Sequence, residues 1–267
     1  MSFSSYLLSS STTLPFKKFN LSFPLSNLRY FSYKANKIGF RPIASSDAVI
    51  VMDYDKELQI AKKAASLAAK LCQTVQKGIL QSDVQSKSDK SPVTVADYGS
   101  QALVSFVLEK ELALESFSMV AEEDSKDLRK ESNQETLKRI TDLVNATLTS
   151  DGTYSITLST QDVIACIDKG KSDGGPHGRH WVLDPIDGTK GFVRGDQYAI
   201  ALALLDEGKL ALGVLACPNL PLAPLSAQNK QSLPSKFGCL FSAKLGDGTY
   251  MESLDGSSSK KVVCQYN

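Results

Sequence analysis

The sequence predicts an α+β fold, because helical patterns come first and short apolar strands follow without strict alternation. Residues 53–81 place apolar side chains on one helical face, with acidic residues in the first turn, and residues 94–112 predict a second helix. Four later apolar runs pair into two β-hairpins across short turns: 198–205 with 210–217, and 238–244 with 249–254. These three observations indicate helices packed beside a largely antiparallel sheet.

Shorter elements are expected between the long helices and the hairpins. Residues 117–121 and 181–183 are apolar enough for short strands, and residues 135–147 predict a helix. Residues 160–169 predict another helix, capped by Ser159. Polar or glycine-rich loops are expected over 82–92, 149–159 and 170–179. His177 and His180 flank the strand at 181–183, and both are expected to be loop residues because neither has a partner at metal-ligand spacing.

Charge is distributed unevenly along the 267 residues. Residues 1–46 contain six Lys or Arg and no Asp or Glu, and they are rich in Ser and Phe, which is typical of a transit peptide. We therefore expect residues 1–47 to be a disordered chloroplast transit peptide. A mitochondrial address, a tail without an address and a cytosolic form started at Met52 remain alternatives.

The remainder of the chain carries 24 basic and 29 acidic residues, a net charge of −5, which suits a site for divalent cations. The overall charge balance gives no indication of nucleic-acid binding, and no apolar run is long enough to span a membrane. The five cysteines lack metal-ligand spacing and are expected to be reduced thiols, with a regulatory disulfide as the alternative.

The most informative segment follows the strand at 181–183. Asp184 ends this strand, because Pro185 has no N–H for the ladder, and Asp187 comes three residues after Asp184. Two carboxylates on one turn are costly unless a cation lies between them, and hard oxygen ligands suit Mg²⁺. The Gly-Thr pair at 188–189 offers N–H groups to a phosphate at a helix start. The segment predicts metal-assisted hydrolysis of a phosphate ester, and an Asp- and Gly-rich surface turn is the alternative.

Two further acidic positions lie where other elements begin or end. Glu122 and Glu123 directly follow the strand at 117–121, and Asp97 lies near the start of the second helix. We expect these segments to join the 184–187 turn in one metal cluster. Asp97 also has a structural interpretation, because Thr94 and Asp97 have the spacing of a capping box.

At these residues the sequence resembles the lithium-sensitive, Mg²⁺-dependent phosphatases of the inositol monophosphatase superfamily. Ser-Pro-Val-Thr-Val-Ala-Asp, Glu-Glu-Asp and Asp-Pro-Ile-Asp-Gly-Thr occur in the order and rough spacing of that superfamily. The Lys-Gly-Phe at 190–192 and the run 86–101 are similar to the plant 3'(2'),5'-bisphosphate nucleotidase branch. The resemblance extends from residue 53 to the end and implies a layered α/β fold of the inositol monophosphatase type.

The resemblance also implies residue roles. Four groups would hold Mg²⁺: Glu122, Asp184, the backbone carbonyl of Ile186, and Asp187. Asp97 and Thr189 would be catalytic, with the threonine hydroxyl passing a proton from the attacking water towards Asp97, and the amides of Gly188 and Thr189 would hold the phosphate. Glu123 could orient Glu122, hold an outer ion or be exposed.

The implied substrate is 3'-phosphoadenosine 5'-phosphate, hydrolysed to AMP and phosphate. Its sulfated form and inositol 1,4-bisphosphate are further candidates. No nucleic-acid polymer or membrane is expected as a partner, and the protein is expected to be a monomer.

The domain expectation is a catalytic α+β domain over 53–217 and the truncated start of a second domain over 218–267. The family's second domain carries a Trp-Asp motif that does not occur before Asn267, so weak or absent turnover is expected. Two rivals remain. A haloacid dehalogenase-type phosphatase needs one residue between its aspartates, whereas Pro185 and Ile186 intervene here. The other is a catalytically weak nucleotide- or metal-binding protein.

Overall fold

The computed structural model describes residues 53–81, 91–112, 117–222 and 237–262. Residues 52–267 form one compact unit. The expected transit peptide, the start at Met52, most of the 82–92 loop and Cys264 lie outside the described residues. Four cysteines within them are buried free thiols: Cys72, Cys166, Cys217 and Cys239.

The helices agree with the sequence pattern in order and number, with shifts at their ends. They are α1 (Asp55–Gln81), α2 (Ser91–Leu112), α3 (Gln134–Asp151), α4 (Thr160–Asp168) and α5 (Thr189–Arg194), with a 3₁₀ turn at Glu131–Asn133. Helix α3 continues past the expected end at Thr147 to Gly152, whose φ of 74° forms the left-handed cap. Ser159 caps α4 as predicted, in a capping box with Asp162.

Within the described residues, seven strands form one sheet in sequence order. They are β1 (Ser118–Ala121), β2 (Arg179–Asp187), β3 (Ala199–Asp206), β4 (Lys209–Pro221), β5 (Phe237–Lys244), β6 (Gly248–Ser253) and β7 (Ser259–Val262). Only β1 and β2 are parallel, and every other neighbouring pair is antiparallel. Both predicted hairpins are confirmed. The pattern does not predict β7, because Ser-Lys-Lys-Val offers a single apolar side chain.

Helix α2 is the centre of the core. All its residues from 95 to 108 are buried, because α1, α3, α4 and β2 contact it from different sides. Alanines of α1 allow a close approach to α2 and are fully buried, among them Ala61, Ala64 and Ala68. A helix that is surrounded in this way is expected to be apolar all round, so the polar side chains within it need a reason.

Strand β2 corrects two expectations. It does not end at Asp184 but continues to Asp187, with a register shift opposite β3: Asp184 pairs with Ala201, and Asp187 pairs with Ala199. Three steps along β2 therefore face two steps along β3, which is a β-bulge. Pro185 lies inside this bulge, where the ladder does not require its missing N–H.

His180 is the second correction, because it belongs to β2 and not to the preceding loop. Its Nδ1 lies 2.7 Å from the Ser118 hydroxyl, and its Nε2 lies 2.6 Å from the His177 carbonyl oxygen. Strand β4 runs through the expected domain boundary after Cys217 to Pro221. The division into two domains stays a prediction. None of the described helices is both long enough and apolar enough to cross a membrane.

Candidate active site

Parallel pairing of β1 and β2 brings two acidic segments to one edge of the sheet. The register pairs Ala121 with Leu183, so Glu122, directly after the end of β1, follows beside Asp184 within β2. Burial raises the pKa of Asp184 to about 7, and the negative charges of Glu122 and Asp187 add to this rise. Burial and Asp187 also raise the pKa of Glu122. The carboxylate after β1 and the two carboxylates of β2 are therefore close enough for their charges to influence one another.

The bulge in β2 explains how Asp187 joins them. Residues three apart point to opposite faces of a regular strand, whereas an extra bulged residue changes the alternation. Within the bulge the Ile186 N–H donates to Asp184 Oδ1 at 3.2 Å. The Thr189 hydroxyl donates to the Ile186 carbonyl oxygen at 3.4 Å. The carbonyl expected to bind metal and the hydroxyl expected to act in catalysis are thus neighbours.

Asp97 enters the same cluster from α2. It is only 9% exposed, and burial raises its pKa to about 9, with further contributions from Glu123, Glu122 and Asp184. The capping-box interpretation is wrong, because α2 begins at Ser91 and Asp97 therefore lies beyond the first turn. No hydrogen bond joins Asp97 to Thr189 among the described residues, so the proton relay between them stays a prediction.

Glu123 is half-buried, so the option of a simply exposed side chain is wrong. Burial raises its pKa to about 7; Glu122 and Asp184 add to the rise, and a hydrogen bond with Tyr98 opposes it. We call the five side chains that interact here the acidic cluster: Asp97, Glu122, Glu123, Asp184 and Asp187. Within the described ranges, burial is the largest cause of the raised pKa values, and the charges that add to it are all carboxylates, with no contribution from a cationic side chain.

Helix α5 begins beside the acidic cluster and is held at its far end. The Gln76 amide donates to the Phe192 carbonyl oxygen at 2.8 Å, and the Asn219 amide donates to Gln76 Oε1 at 2.9 Å. Gly191 is required by close packing, because a Cβ there would collide with the Gln197 carbonyl oxygen. Within the Lys-Gly-Phe pattern, Gly191 is thus explained by close packing and Phe192 by the hydrogen bond to its carbonyl oxygen. These contacts keep the start of α5, at Gly188 and Thr189, against the strand that carries the carboxylates.

Comparison with known proteins identifies this arrangement. The sequence profile described as the inositol monophosphatase family matches residues 53–265. The chain belongs to the inositol monophosphatase family. The fold expected from the resemblance, α+β of the inositol monophosphatase type, is thereby confirmed.

The similar proteins considered next are all named bisphosphate nucleotidases, which form one branch of the family. A protein named 3'(2'),5'-bisphosphate nucleotidase 1 from Arabidopsis thaliana is 69% identical over 214 residues, which cover 79% of this chain and 61% of the relative. A 3'(2'),5'-bisphosphate nucleotidase from Oryza sativa is 65% identical over 213 residues, covering 79% and 60%. One from Candida albicans is 38% identical over 206 residues, covering 75% and 55%. The chain spans about three-fifths of the length of these relatives.

Members of the inositol monophosphatase family are generally metal-dependent phosphatases, and the donor set here fits a metal. Hard carboxylate and carbonyl oxygens without a neighbouring cation are stabilised by a divalent ion. In the part of the chain that the structure describes, no group of three or more His, Cys, Asp or Glu side chains is placed to hold a metal ion. Magnesium suits a site with few side-chain ligands, because it usually keeps several waters and takes one or two carboxylates.

Sequence reasoning missed three residues that hold this site together: Tyr98, Ser100 and Gln101 of α2. Their hydrogen bonds run to main-chain atoms of the acidic segments. The signal in the sequence is weak. It consists of polar residues inside an otherwise apolar helix, which the pattern alone would place on a solvent-exposed face.

Proposed function

We propose that this chain carries the catalytic metal site of a Mg²⁺-dependent phosphatase that removes the 3'-phosphate of 3'-phosphoadenosine 5'-phosphate. The products are AMP and phosphate. The observation that carries the proposal is the β1–β2 register with its bulge, because it gathers carboxylates from distant segments without a cation among them. Asp97 adds a third segment to the same cluster.

Four groups would hold the metal: Glu122, Asp184, the Ile186 carbonyl and Asp187. When bound, Mg²⁺ would supply a Lewis acid that lowers the pKa of a bound water and stabilises the leaving oxygen. Asp97, held mostly away from solvent, is the proposed final acceptor of the proton from that water. The Thr189 hydroxyl would carry the proton, since it already lies beside the Ile186 carbonyl oxygen.

The start of α5 would receive the phosphate. Gly188 has a φ of 96°, a left-handed conformation suited to glycine, and it turns the chain from β2 into α5. The amides of Gly188 and Thr189 would then donate to the phosphate next to the proposed metal ligands. Fixing the phosphate beside the metal orients it for attack by the water.

The substrate is proposed from the relatives. Proteins 59–69% identical to this chain are named bisphosphate nucleotidases, which supports a nucleotide bearing two phosphates. Inositol 1,4-bisphosphate is a second candidate for the same site. A chloroplast location is supported by the composition of residues 1–46. Imaging the full chain fused to a fluorescent protein tests it, and fluorescence confined to the cytosol would contradict it.

Phosphate release by the full 267-residue chain tests the activity. We expect weak release from 3'-phosphoadenosine 5'-phosphate in Mg²⁺, still less from 5'-AMP, and none in EDTA. Asp184→Asn should lower the rate roughly a hundredfold or more, because metal ligation supplies several kcal/mol of transition-state stabilisation. Asp173→Asn is the matched control, since Asp173 is an exposed carboxylate in the loop before β2.

Two results would contradict the hydrolase proposal. One is Mg²⁺-independent release that Asp184→Asn leaves unchanged. The other is tight binding of Mg²⁺ and nucleotide without any phosphate release, which would instead assign a binding function. Trapping a phospho-aspartate would favour the haloacid dehalogenase-type mechanism.

A further inference from the structure

One face of α2 links the three segments of the acidic cluster. Asp97, Ser100 and Gln101 follow the i, i+3, i+4 spacing that places side chains on the same side of a helix. Ser100 and Gln101 are fully buried. Two buried polar side chains beside a buried carboxylate, inside an apolar helix, require specific partners.

Gln101 pairs with the main chain of the turn that carries Glu122 and Glu123. Its Nε2 donates to the Glu123 carbonyl oxygen at 2.9 Å, and its Oε1 accepts from the Glu123 N–H at 3.0 Å. The same Nε2 donates to the Ile167 carbonyl oxygen at 2.8 Å. Both N–H groups and the oxygen of the amide are therefore used. The Gln101 side chain thus makes two hydrogen bonds with the main chain of residue 123, as a neighbouring strand would, and a third with the end of α4.

Ser100 makes the corresponding contact with β2. Its hydroxyl donates to the Pro185 carbonyl oxygen at 3.1 Å, inside the bulge that separates Asp184 from Asp187. Tyr98 adds a contact of the same kind, because its hydroxyl donates to the Asp124 carbonyl oxygen at 3.0 Å. The partners of Ser100 and Gln101 are all main-chain atoms, so these two side chains do not occupy the carboxylate oxygens of Asp184 and Asp187.

Gly170 shows that the space around Gln101 is closed. A Cβ at this glycine would lie 2.7 Å from Gln101 Nε2 and 2.7 Å from the Ala121 Cβ. The Gly170 carbonyl oxygen accepts from the Ala121 N–H at 2.9 Å, next to Glu122 in the chain. No side chain larger than hydrogen therefore fits at residue 170 between the Gln101 amide and the end of β1.

We propose that Ser100 and Gln101 are positioning residues that fix the Glu122–Glu123 turn and the β2 bulge at set distances from Asp97. This inference rests on the proposed metal-dependent function and deepens it. Like charges that share a site push one another apart when no cation is present. Hydrogen bonds from one rigid helix to the main chain of both segments oppose that separation without occupying the ligand oxygens. Outer contacts of this kind tune metal sites because they orient the ligands.

Magnesium affinity distinguishes positioning from simple packing. We would measure the Mg²⁺ dissociation constant of the full chain by calorimetry for wild type, Ser100→Ala and Gln101→Met. Ser105→Ala is the matched control, because Ser105 is equally buried in α2 but its hydroxyl partner is the Met119 Sδ at 4.0 Å, and not a main-chain atom of the Glu122–Glu123 turn or of the β2 bulge. Melting temperatures in EDTA record the general loss of stability in each variant.

We expect Gln101→Met to weaken Mg²⁺ binding about tenfold or more, and Ser100→Ala several-fold. Ser105→Ala should leave the dissociation constant unchanged, even where its melting temperature falls as far as that of Ser100→Ala. If Gln101→Met does not fold, the comparison of Ser100→Ala with Ser105→Ala decides alone.

The inference is overturned if wild type binds Mg²⁺ and both variants bind it within twofold of Ser105→Ala. If wild type itself binds no Mg²⁺, the proposed function fails first and the positioning role fails with it. The two failures are therefore distinguishable by the wild-type titration.

Discussion

Gly170→Ala tests how closely the end of β1, which precedes Glu122, packs against Gln101 and residue 170. The added methyl group would lie 2.7 Å from both Gln101 Nε2 and the Ala121 Cβ, closer than real Cβ contacts allow. Either the end of β1 shifts, or the Gln101 amide moves and gives up its bonds to Glu123 and Ile167. Both responses act on the segment that carries Glu122.

The size of the effect follows from two costs. Forcing one extra methyl group into a packed core costs about 1–3 kcal/mol. Leaving one buried backbone group without its hydrogen-bond partner costs about 1–3 kcal/mol more. We therefore expect Gly170→Ala to lower the free energy of unfolding by about 3 kcal/mol. For a folded unit of this size, that corresponds to a fall of about 6–12 °C in the melting temperature.

Urea denaturation and thermal melting in EDTA measure this loss, with Gly78→Ala as the matched control. Gly78 lies in α1, and a Cβ there would meet no heavy atom within 4 Å. Its replacement should raise the free energy of unfolding by about 0.5–1 kcal/mol, because alanine favours the helix. A loss below 1 kcal/mol for Gly170→Ala, or equal effects of the two substitutions, would refute the reasoning.

Burial would raise the pKa of Asp168, but hydrogen bonds from Lys171, Ser125 and Arg129 outweigh it and lower the pKa to about 2. The resulting stabilisation is present above about pH 4 and is lost as the pH falls towards 2. Urea titrations should therefore show Asp168→Asn about 1 kcal/mol less stable than wild type at pH 7 and equal to it at pH 2, and the value is small because the partners are exposed. A stability difference that does not change with pH would contradict this prediction. Tyr198→Phe should raise the free energy of unfolding by about 1 kcal/mol, because its buried hydroxyl has no partner among the described residues. Tyr54→Phe should lower the free energy of unfolding by a similar amount, because the Tyr54 hydroxyl donates to Asp206 Oδ2 at 2.9 Å. If both substitutions change the free energy of unfolding in the same direction, both predictions are contradicted.

Local sequence patterns predict the elements that depend on local chemistry. Helix α4 is one case, because Ser159 and Asp162 are close in sequence and form its cap. The hairpin of β3 and β4 is another, since its strands are apolar and Glu207 and Gly208 adopt positive φ in the turn. The sequence also predicts the acidic positions of the site, because each of them follows or interrupts an apolar run.

The geometry of the site depends on contacts that no local pattern contains. The pairing of Ala121 with Leu183 joins residues 62 positions apart, and it alone places Glu122 beside Asp184. The bulge at Pro185 depends on pairing with β3, which lies later in the chain. The local sequence contains only the proline, and it therefore suggested that the strand would stop there. Gln101 has a role only once the turn after β1 folds against α2.

Asp97 shows how tertiary packing decides between two local interpretations. A capping box and a catalytic carboxylate have the same sequence spacing at Thr94–Asp97. The start of α2 at Ser91 removes the first interpretation. The pKa of about 9, raised by burial and by Glu123, Glu122 and Asp184, then places Asp97 with the other carboxylates.

We propose that carboxylates from three segments repel one another until a shared Mg²⁺ binds among them. The most direct measurement is the melting temperature of wild type and Asp184→Asn, each in EDTA and in saturating Mg²⁺. In EDTA, Asp184→Asn should melt at least about 3 °C higher, because one like charge has been removed. Adding Mg²⁺ should raise the melting temperature of wild type strongly and that of Asp184→Asn little, so that the order of the two reverses. Equal shifts on adding Mg²⁺, or a wild-type melting temperature that Mg²⁺ leaves unchanged, would show that these carboxylates do not share a Mg²⁺.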